Sequence, residues 1–259
     1  MEQTEYDRLL AAWKALRGTH NLRIREVACV NAPRTLLVVE VGSEQAHTVA
    51  LSAGIHGNEP AAPWALLALV RDRLLDDRFA YRIWPCINPT GFAAGLRPNA
   101  EGVDINRSFS RGGTTPEARA IITANRDRKF ALSIDLHEDF EARGFYAYEP
   151  LAANATPRYV QTVIRAMDDA GLSVQELDDP AFDLGPPGTR AVQTIGRGTV
   201  VVDAKAEGPF FTGGLPMSLF LLRGSAASAL TFETPMTRGW DERIAMHRIA
   251  VTTALAQAG

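Results

Sequence analysis

Val49-Ala-Leu-Ser-Ala-Gly-Ile-His56-Gly-Asn-Glu59-Pro60 is an apolar run that ends in a glycine-spaced turn holding one imidazole and one carboxylate. The run reads as a buried strand that delivers the backbone to the edge of a sheet. Gly54 and Gly57 permit tight or positive-φ geometry, and Pro60 suits the first turn of a following helix. Strand-to-helix corners at the carboxyl ends of strands are where α/β proteins usually place ligands. His56 and Glu59 therefore have the look of half a metal site. Alone, the pair has an equally good explanation, because a helix start favours an acidic residue through its dipole. Only further ligands elsewhere in the chain can decide between the two.

Upstream of the corner, Tyr6, Leu9, Leu10, Trp13 and Leu16 recur at helical spacing, and Gly18 supplies a stop. Leu22–Val30, Thr35–Val41 and Thr48–Ala53 read as three strands. Downstream, Pro60 to about Asp76 is a helix, apolar first and charged at its end, with Pro63 tolerated in its first turn. Tyr81–Ile87 is a strand that runs into the turn Asn88-Pro-Thr-Gly91. Gly91 to Gly113 shows no sustained period and reads as a loop, yet it carries Arg97, Asp104, Asn106, Arg107 and Arg111. Long ordered loops in compact domains are more often functional than not. Thr115-Pro116-Glu117 is a capped helix start, and Phe130–Leu136 is a strand that ends at His137, followed by Glu138 and Asp139.

The remainder reads as a short strand at Phe145–Tyr148, a helix over Thr156–Ala170 and a strand at Leu172–Leu177. A loop over Asp178–Arg190, a strand at Thr199–Ala204 and a glycine-rich turn region at Glu207–Leu215 follow. Ala229–Glu233 is a strand ending in a carboxylate, and Thr237–Ala256 a helix capped by Thr237. Strand and helix alternate, so the expected fold is α/β: one domain over residues 1–259, with a mixed, mainly parallel sheet flanked by helices.

Composition narrows the function classes. A chain of 259 residues, 46% hydrophobic, can bury a sizeable core as one domain. A formal charge of -3 with no Lys/Arg block gives no footprint for nucleic acid. Cys29 and Cys86 are too few for a disulfide framework and sit in apolar runs, so both read as core thiols. No stretch approaches the roughly 18 apolar residues of a membrane span. Glu2, Glu5 and Asp7 at the N-terminus do not resemble a signal peptide. The expectation is a soluble, cytoplasmic protein.

Three separate strands thus end in a metal-ligating group or a carboxylate: His56 with Glu59, then His137, then Glu233. Two imidazoles and one carboxylate suit catalytic zinc and leave a coordination position for water. A further, unliganded carboxylate is what metal-assisted hydrolysis needs as base and then acid. Each residue has a bland alternative, such as a core histidine or a strand-end surface carboxylate. Their convergence favours chemistry.

The ordered set His56-Gly-Asn-Glu59, Asn88-Pro-Thr-Gly91, Arg97, Gly102-Val-Asp104-Ile-Asn106-Arg107, Pro116-Glu117, His137 and Thr231-Phe-Glu233 resembles the zinc carboxypeptidase family and its deacylase relatives, the succinylglutamate desuccinylases and aspartoacylases. It spans residues from about 48 to 235. The resemblance implies one Zn2+ per chain held by His56, Glu59 and His137, with Glu233 as general base and acid. Arg97 would polarise the scissile carbonyl, and Asn106 and Arg107 would clamp a substrate carboxylate. Asp104 would orient His56 from behind. Glu117 is explained by its place in a helix's first turn. Glu138 and Asp139 could tune the metal site, contact a basic substrate or face water. His20, His47 and His247 read as structural.

One departure stands out. The digestive members use a tyrosine from a mobile loop shortly before the catalytic glutamate, whereas no tyrosine follows Tyr159 here. Phe210 or Phe211 could cover the pocket without donating a hydrogen bond. The resemblance implies hydrolysis of an amide next to a free carboxylate, with deacylation of an N-acyl amino acid as the alternative. The substrate would be a small peptide or an N-acyl amino acid. A non-catalytic module that binds a carboxylate is disfavoured because it has no need of Glu233. A serine hydrolase is disfavoured because Gly-x-Ser-x-Gly is absent.

Overall fold

A computed structural model describes residues 3–18, 21–43, 47–152, 155–178, 192–205 and 214–258. Helix α1 (Glu5–Ala15) is followed by strands β1 (Leu22–Val27), β2 (Leu36–Val41) and β3 (Thr48–Ala53). Helix α2 (Ala61–Arg71), strand β4 (Ala80–Trp84) and a short α3 (Pro89–Ala94) lead to a 3-10 turn at Ile105–Arg107. Then come α4 (Pro116–Ala124), β5 (Leu132–Asp139), β6 (Tyr146–Leu151) and α5 (Tyr159–Asp169). The chain continues through β7 (Val192–Thr194), β8 (Thr199–Asp203), α6 (Met217–Gly224), β9 (Ala229–Pro235) and α7 (Trp240–Gln257).

The strands form one mixed sheet in the order β1-β2-β4-β3-β5-β9-β6-β8-β7. Its central block, β4-β3-β5-β9, is parallel, as the alternation of strands and helices predicts. β3 and β5 are buried along almost their whole length, which is why they read as continuous apolar runs. Leu51, Ile134 and Phe232 face a core closed by α1, α2, α5 and α7. Ala50 and Trp84 face a second core, closed by α4, α6 and the Ile105–Phe109 segment. Register fixes what matters for function: Ser52 lies opposite Asp135, Asp135 opposite Thr231, and His137 opposite Glu233.

Several boundaries differ from the sequence reading. Gly91–Gly113 is not wholly a loop, since α3 and the 3-10 turn lie partly or wholly within it. Leu172–Leu177 makes only a single bridge, Val174 to Phe145, because both edges of β6 are already taken by β8 and β9. Helix α6 was not apparent, and its first amide, Met217 N, donates to Asn106 Oδ1 at 3.0 Å, a partner no local pattern reveals. Helix α7 begins after Gly239 rather than at Thr237, whose hydroxyl donates to the Ala142 carbonyl instead. β5 and β9 both run two residues past His137 and Glu233. Phe210, Phe211 and His20 lie outside the described residues, as do the loop over 178–190 apart from Asp178 and the 207–215 region apart from its last two residues.

Cys29 and Cys86 are buried free thiols, as expected. No helix among the described residues is long and apolar enough to cross a membrane.

His247 on α7 is fully buried, its Nε2 paired with Thr234 Oγ1 at 3.1 Å. Burial pushes its imidazole down from 6.5 to about 3. The unfolded chain therefore takes up this proton first. The contribution to stability is whole above pH 6.5 and is lost as pH falls towards 3. Urea unfolding of the metal-free protein should show this group costing about 2 kcal/mol between pH 7 and pH 5, and His247→Gln should remove that part of the slope.

Candidate active site

The site is built at the carboxyl ends of β3, β5 and β9, where the parallel block meets the loops that follow. After β3 the chain turns through Gly54, at φ 62°, to reach His56. Gly57 then packs so closely that an added Cβ would lie 2.0 Å from the Gly91 carbonyl carbon. Only glycine admits that contact. The Gly57 amide donates to the Arg97 carbonyl, which also accepts from Asn88 Nδ2. Asn88 in turn caps α3 through Gly91 N. The Asn88-Pro-Thr-Gly91 turn thus carries Arg97 to the corner that holds His56 and Glu59.

His56, Glu59 and His137 come together, all buried, with ligating atoms within 4.8 Å of one another. The Glu59 carboxylate lies between the rings, its Oε1 2.6 Å from His56 Nδ1 and its Oε2 3.0 Å from His137 Nδ1. The two rings are 4.9 Å apart, centre to centre. Each outward nitrogen meets another carboxylate: His56 Nε2 is 3.2 Å from Asp104 Oδ1, and His137 Nε2 is 3.1 Å from Asp135 Oδ2. Burial alone would push the Glu59 carboxyl up, but the flanking histidines overcome it and hold it below the usual carboxylate range. Burial likewise opposes protonation of His137, yet Asp135, Glu59 and Glu233 raise it well above the usual imidazole value.

This donor set fits a divalent cation. Asp104 and Asp135 can each accept an Nε2–H, which leaves both Nδ1 lone pairs aimed at the centre beside a carboxylate. Positive charge must then fill the centre, as protons or as a metal ion. Asp135 was missed from sequence. Its signal was there: a charged residue inside the apolar run Leu132–Leu136, two positions before His137 and hence on the same strand face. It also accepts from Ser52 Oγ at 2.7 Å, across the β3–β5 register.

Asp104 serves three partners. Its Oδ1 accepts from His56 and from Asn106 N at 2.8 Å, and its Oδ2 is 3.3 Å from Arg97 Nη2. Burial raises its carboxyl, but His56, Arg97 and Arg107 hold it well below the ordinary range. Arg97, 46% exposed, places Nη1 3.6 Å from Glu59 Oε1. Arg107 is partly buried, with Nη1 donating to the Asn106 carbonyl. Glu233 is partly exposed and accepts no hydrogen bond among the described residues. Burial of its carboxyl pushes it well above the usual value; Glu59 and Asp139 add to the rise, and His137 and Arg97 oppose it.

Glu117 is buried and accepts from Asn99 Nδ2, a role in packing the loop onto α4. Both carboxylates that follow His137 are consumed within the protein. Asp139 accepts from Tyr146 Oη and from Glu141 N, and Glu138 pairs with Arg243. Neither is placed for a basic substrate.

Residues 45–254 match the model of the succinylglutamate desuccinylase/aspartoacylase catalytic domain. Carboxypeptidase SOL1 of Arabidopsis thaliana is 34% identical over 103 residues, 32% of this chain and 21% of that protein. Murein peptide amidase A of Escherichia coli K12 is 40% identical over 57 residues, 22% of this chain and 23% of that protein. The chain thus spans less than a quarter of the length of these curated relatives. In fold it is similar to a protein of Shewanella denitrificans described as a metallopeptidase, with a TM-score of 0.75 at 21% identity, covering 97% of this chain and 90% of that one. A metallo-carboxypeptidase from Burkholderia cenocepacia is similar with a TM-score of 0.68 at 19% identity, covering 97% and 68%. With most of its length matched by that one family model, the chain belongs to the succinylglutamate desuccinylase/aspartoacylase catalytic-domain family.

Proposed function

We propose that residues 1–259 act as one catalytic domain, a zinc-dependent hydrolase that cleaves an amide bond next to a free carboxylate. The observation that carries this reading is the convergence of His56, Glu59 and His137, with Glu233 in register beside His137. Two imidazoles and a carboxylate are a donor set for catalytic zinc, and Zn2+ at one per chain would supply a Lewis acid that polarises a carbonyl and acidifies water.

Each residue of this chain has a distinct task. Asp104 and Asp135 accept the outer N–H of His56 and His137, which fixes both rings and their tautomers. Glu233, with no competing hydrogen bond among the described residues, accepts the proton of the attacking water and returns it to the departing amide nitrogen. Arg97 stabilises the oxyanion that develops on the scissile carbonyl. Asn106 and Arg107 hold the free carboxylate of the substrate. The side-chain oxygen of Asn106, Oδ1, already accepts from Met217 N, so its NH2 group is the end left to donate to an anion. A small peptide or an N-acyl amino acid satisfies these contacts.

The match to the desuccinylase/aspartoacylase model favours a second reading, deacylation of an N-acyl amino acid by the same residues. Assay of the zinc-loaded protein against C-terminally free peptides, cell-wall peptides and N-acyl amino acids separates the two. Turnover in none of the three classes would overturn both.

Elemental analysis of purified protein should give about one zinc per chain and little in His137→Ala. Full metal content in that variant would remove His137 as a ligand. Glu233→Gln should retain zinc and lose about 10²–10⁴-fold in turnover, and near-normal activity would exclude it as the base. Asp135→Asn should weaken zinc binding about 10–100-fold, as read by competition with a chromogenic chelator.

A further inference from the structure

Glu59 is tied down twice by one residue. The backbone amide of Glu138 donates to Glu59 Oε2 at 3.2 Å, and the Glu138 side chain accepts from Ala61 N at 2.6 Å. Ala61 is the first residue of α2 and lies two positions after Glu59. The helix has no cap of its own, because its N-cap is Pro60, which has no side-chain acceptor. Glu138, reaching across from β5, supplies the missing acceptor. One residue thereby holds both the carboxylate of Glu59 and the backbone just behind it.

That arrangement places a second carboxylate beside the first, in a setting where an unpaired charge is costly. Arg243 of α7 resolves it. Its Nη1 lies 2.5 Å from Glu138 Oε1, with the Glu138 side chain fully buried and that of Arg243 only 11% exposed. The guanidinium is further held 5.4 Å from the centre of the Trp240 ring. No acid other than Glu138 is paired with Arg243 among the described residues, so the pair is a dedicated one.

We propose that Glu138 and Arg243 are a positioning pair that fixes Glu59 in the geometry a metal ion requires, and that they contact neither substrate nor metal. The inference rests on the metal site of the preceding section. Sequence left Glu138 open as a metal-tuning residue, a substrate contact or a solvated acid. The double tie to the Glu59 corner selects the first and gives it a partner 105 residues away.

The test is metal binding and ligand-field geometry in Arg243→Met and Arg243→Lys, alongside wild type. Zinc affinity, by chelator competition, should fall about 10–100-fold in Arg243→Met and recover most of that loss in Arg243→Lys. The visible spectrum of the cobalt(II)-substituted protein should shift in Arg243→Met, and it reports ligand geometry independently of turnover. Thermal unfolding of the metal-free proteins separates this from a packing role. A drop in unfolding temperature with unchanged affinity and an unchanged cobalt spectrum would overturn the proposal while leaving the metal site intact. If Arg243→Met does not fold, Arg243→Gln replaces it: the shorter, uncharged amide should likewise lower zinc affinity and shift the cobalt spectrum, and wild-type values of both would overturn the proposal. Failure of wild type itself to bind zinc or cobalt would overturn the metal site and this inference together.

Discussion

The arrangement depends on a buried carboxylate held between two imidazoles. Glu59 is almost wholly out of contact with water, where an ionised carboxylate is unfavourable unless it is paired and hydrogen-bonded. His56 and His137 supply the pairing, and Asp104 and Asp135 anchor those rings from behind. Negative groups outnumber positive ones in this shell, with Arg97 reaching Glu59 only from the exposed side. A site of this charge balance is built to take up positive charge. The fold's burial of the corner and the site's appetite for a cation are one property seen from two sides.

Much of this was legible because parallel strands announce themselves. Thr48–Ala53 was read with the bounds it has in the structure, and the His56–Glu59 corner fell where the glycines and Pro60 placed it. His137 and Glu233 could be assigned to strand ends from apolar runs alone. Their mutual proximity could not, because strand order and register are decided by contacts far apart in sequence; the family resemblance supplied it. Helix α6 escaped for a related reason, since the group that satisfies its first amide belongs to Asn106, 111 positions earlier. Asp135 was overlooked as part of a strand, although a charge in such a run demands a partner.

The absent loop tyrosine leaves the described part of the cleft furnished by rigid elements. Asn106 and Arg107 sit on a 3-10 turn capped by Asp104, which itself holds His56. The residues proposed to bind substrate and the carboxylate that anchors His56 therefore share one short segment. Displacing that turn would disturb both, so specificity has more freedom to vary on loops that carry neither.

The shared register of His137 and Glu233 has its own consequence. Neighbouring strands lie about 4.8 Å apart and are locked by backbone hydrogen bonds, so the spacing of these two residues is set by the ladder and not by their side chains. A strand that slips does so by whole residues, and a slip of one would turn Glu233 to the opposite face of the sheet. Small distortions of β9 are not open to the protein as a way of adjusting this distance. Until β9 docks against β5, the cluster of His56, Glu59 and His137 is without Glu233, the group proposed to act as its acid and base.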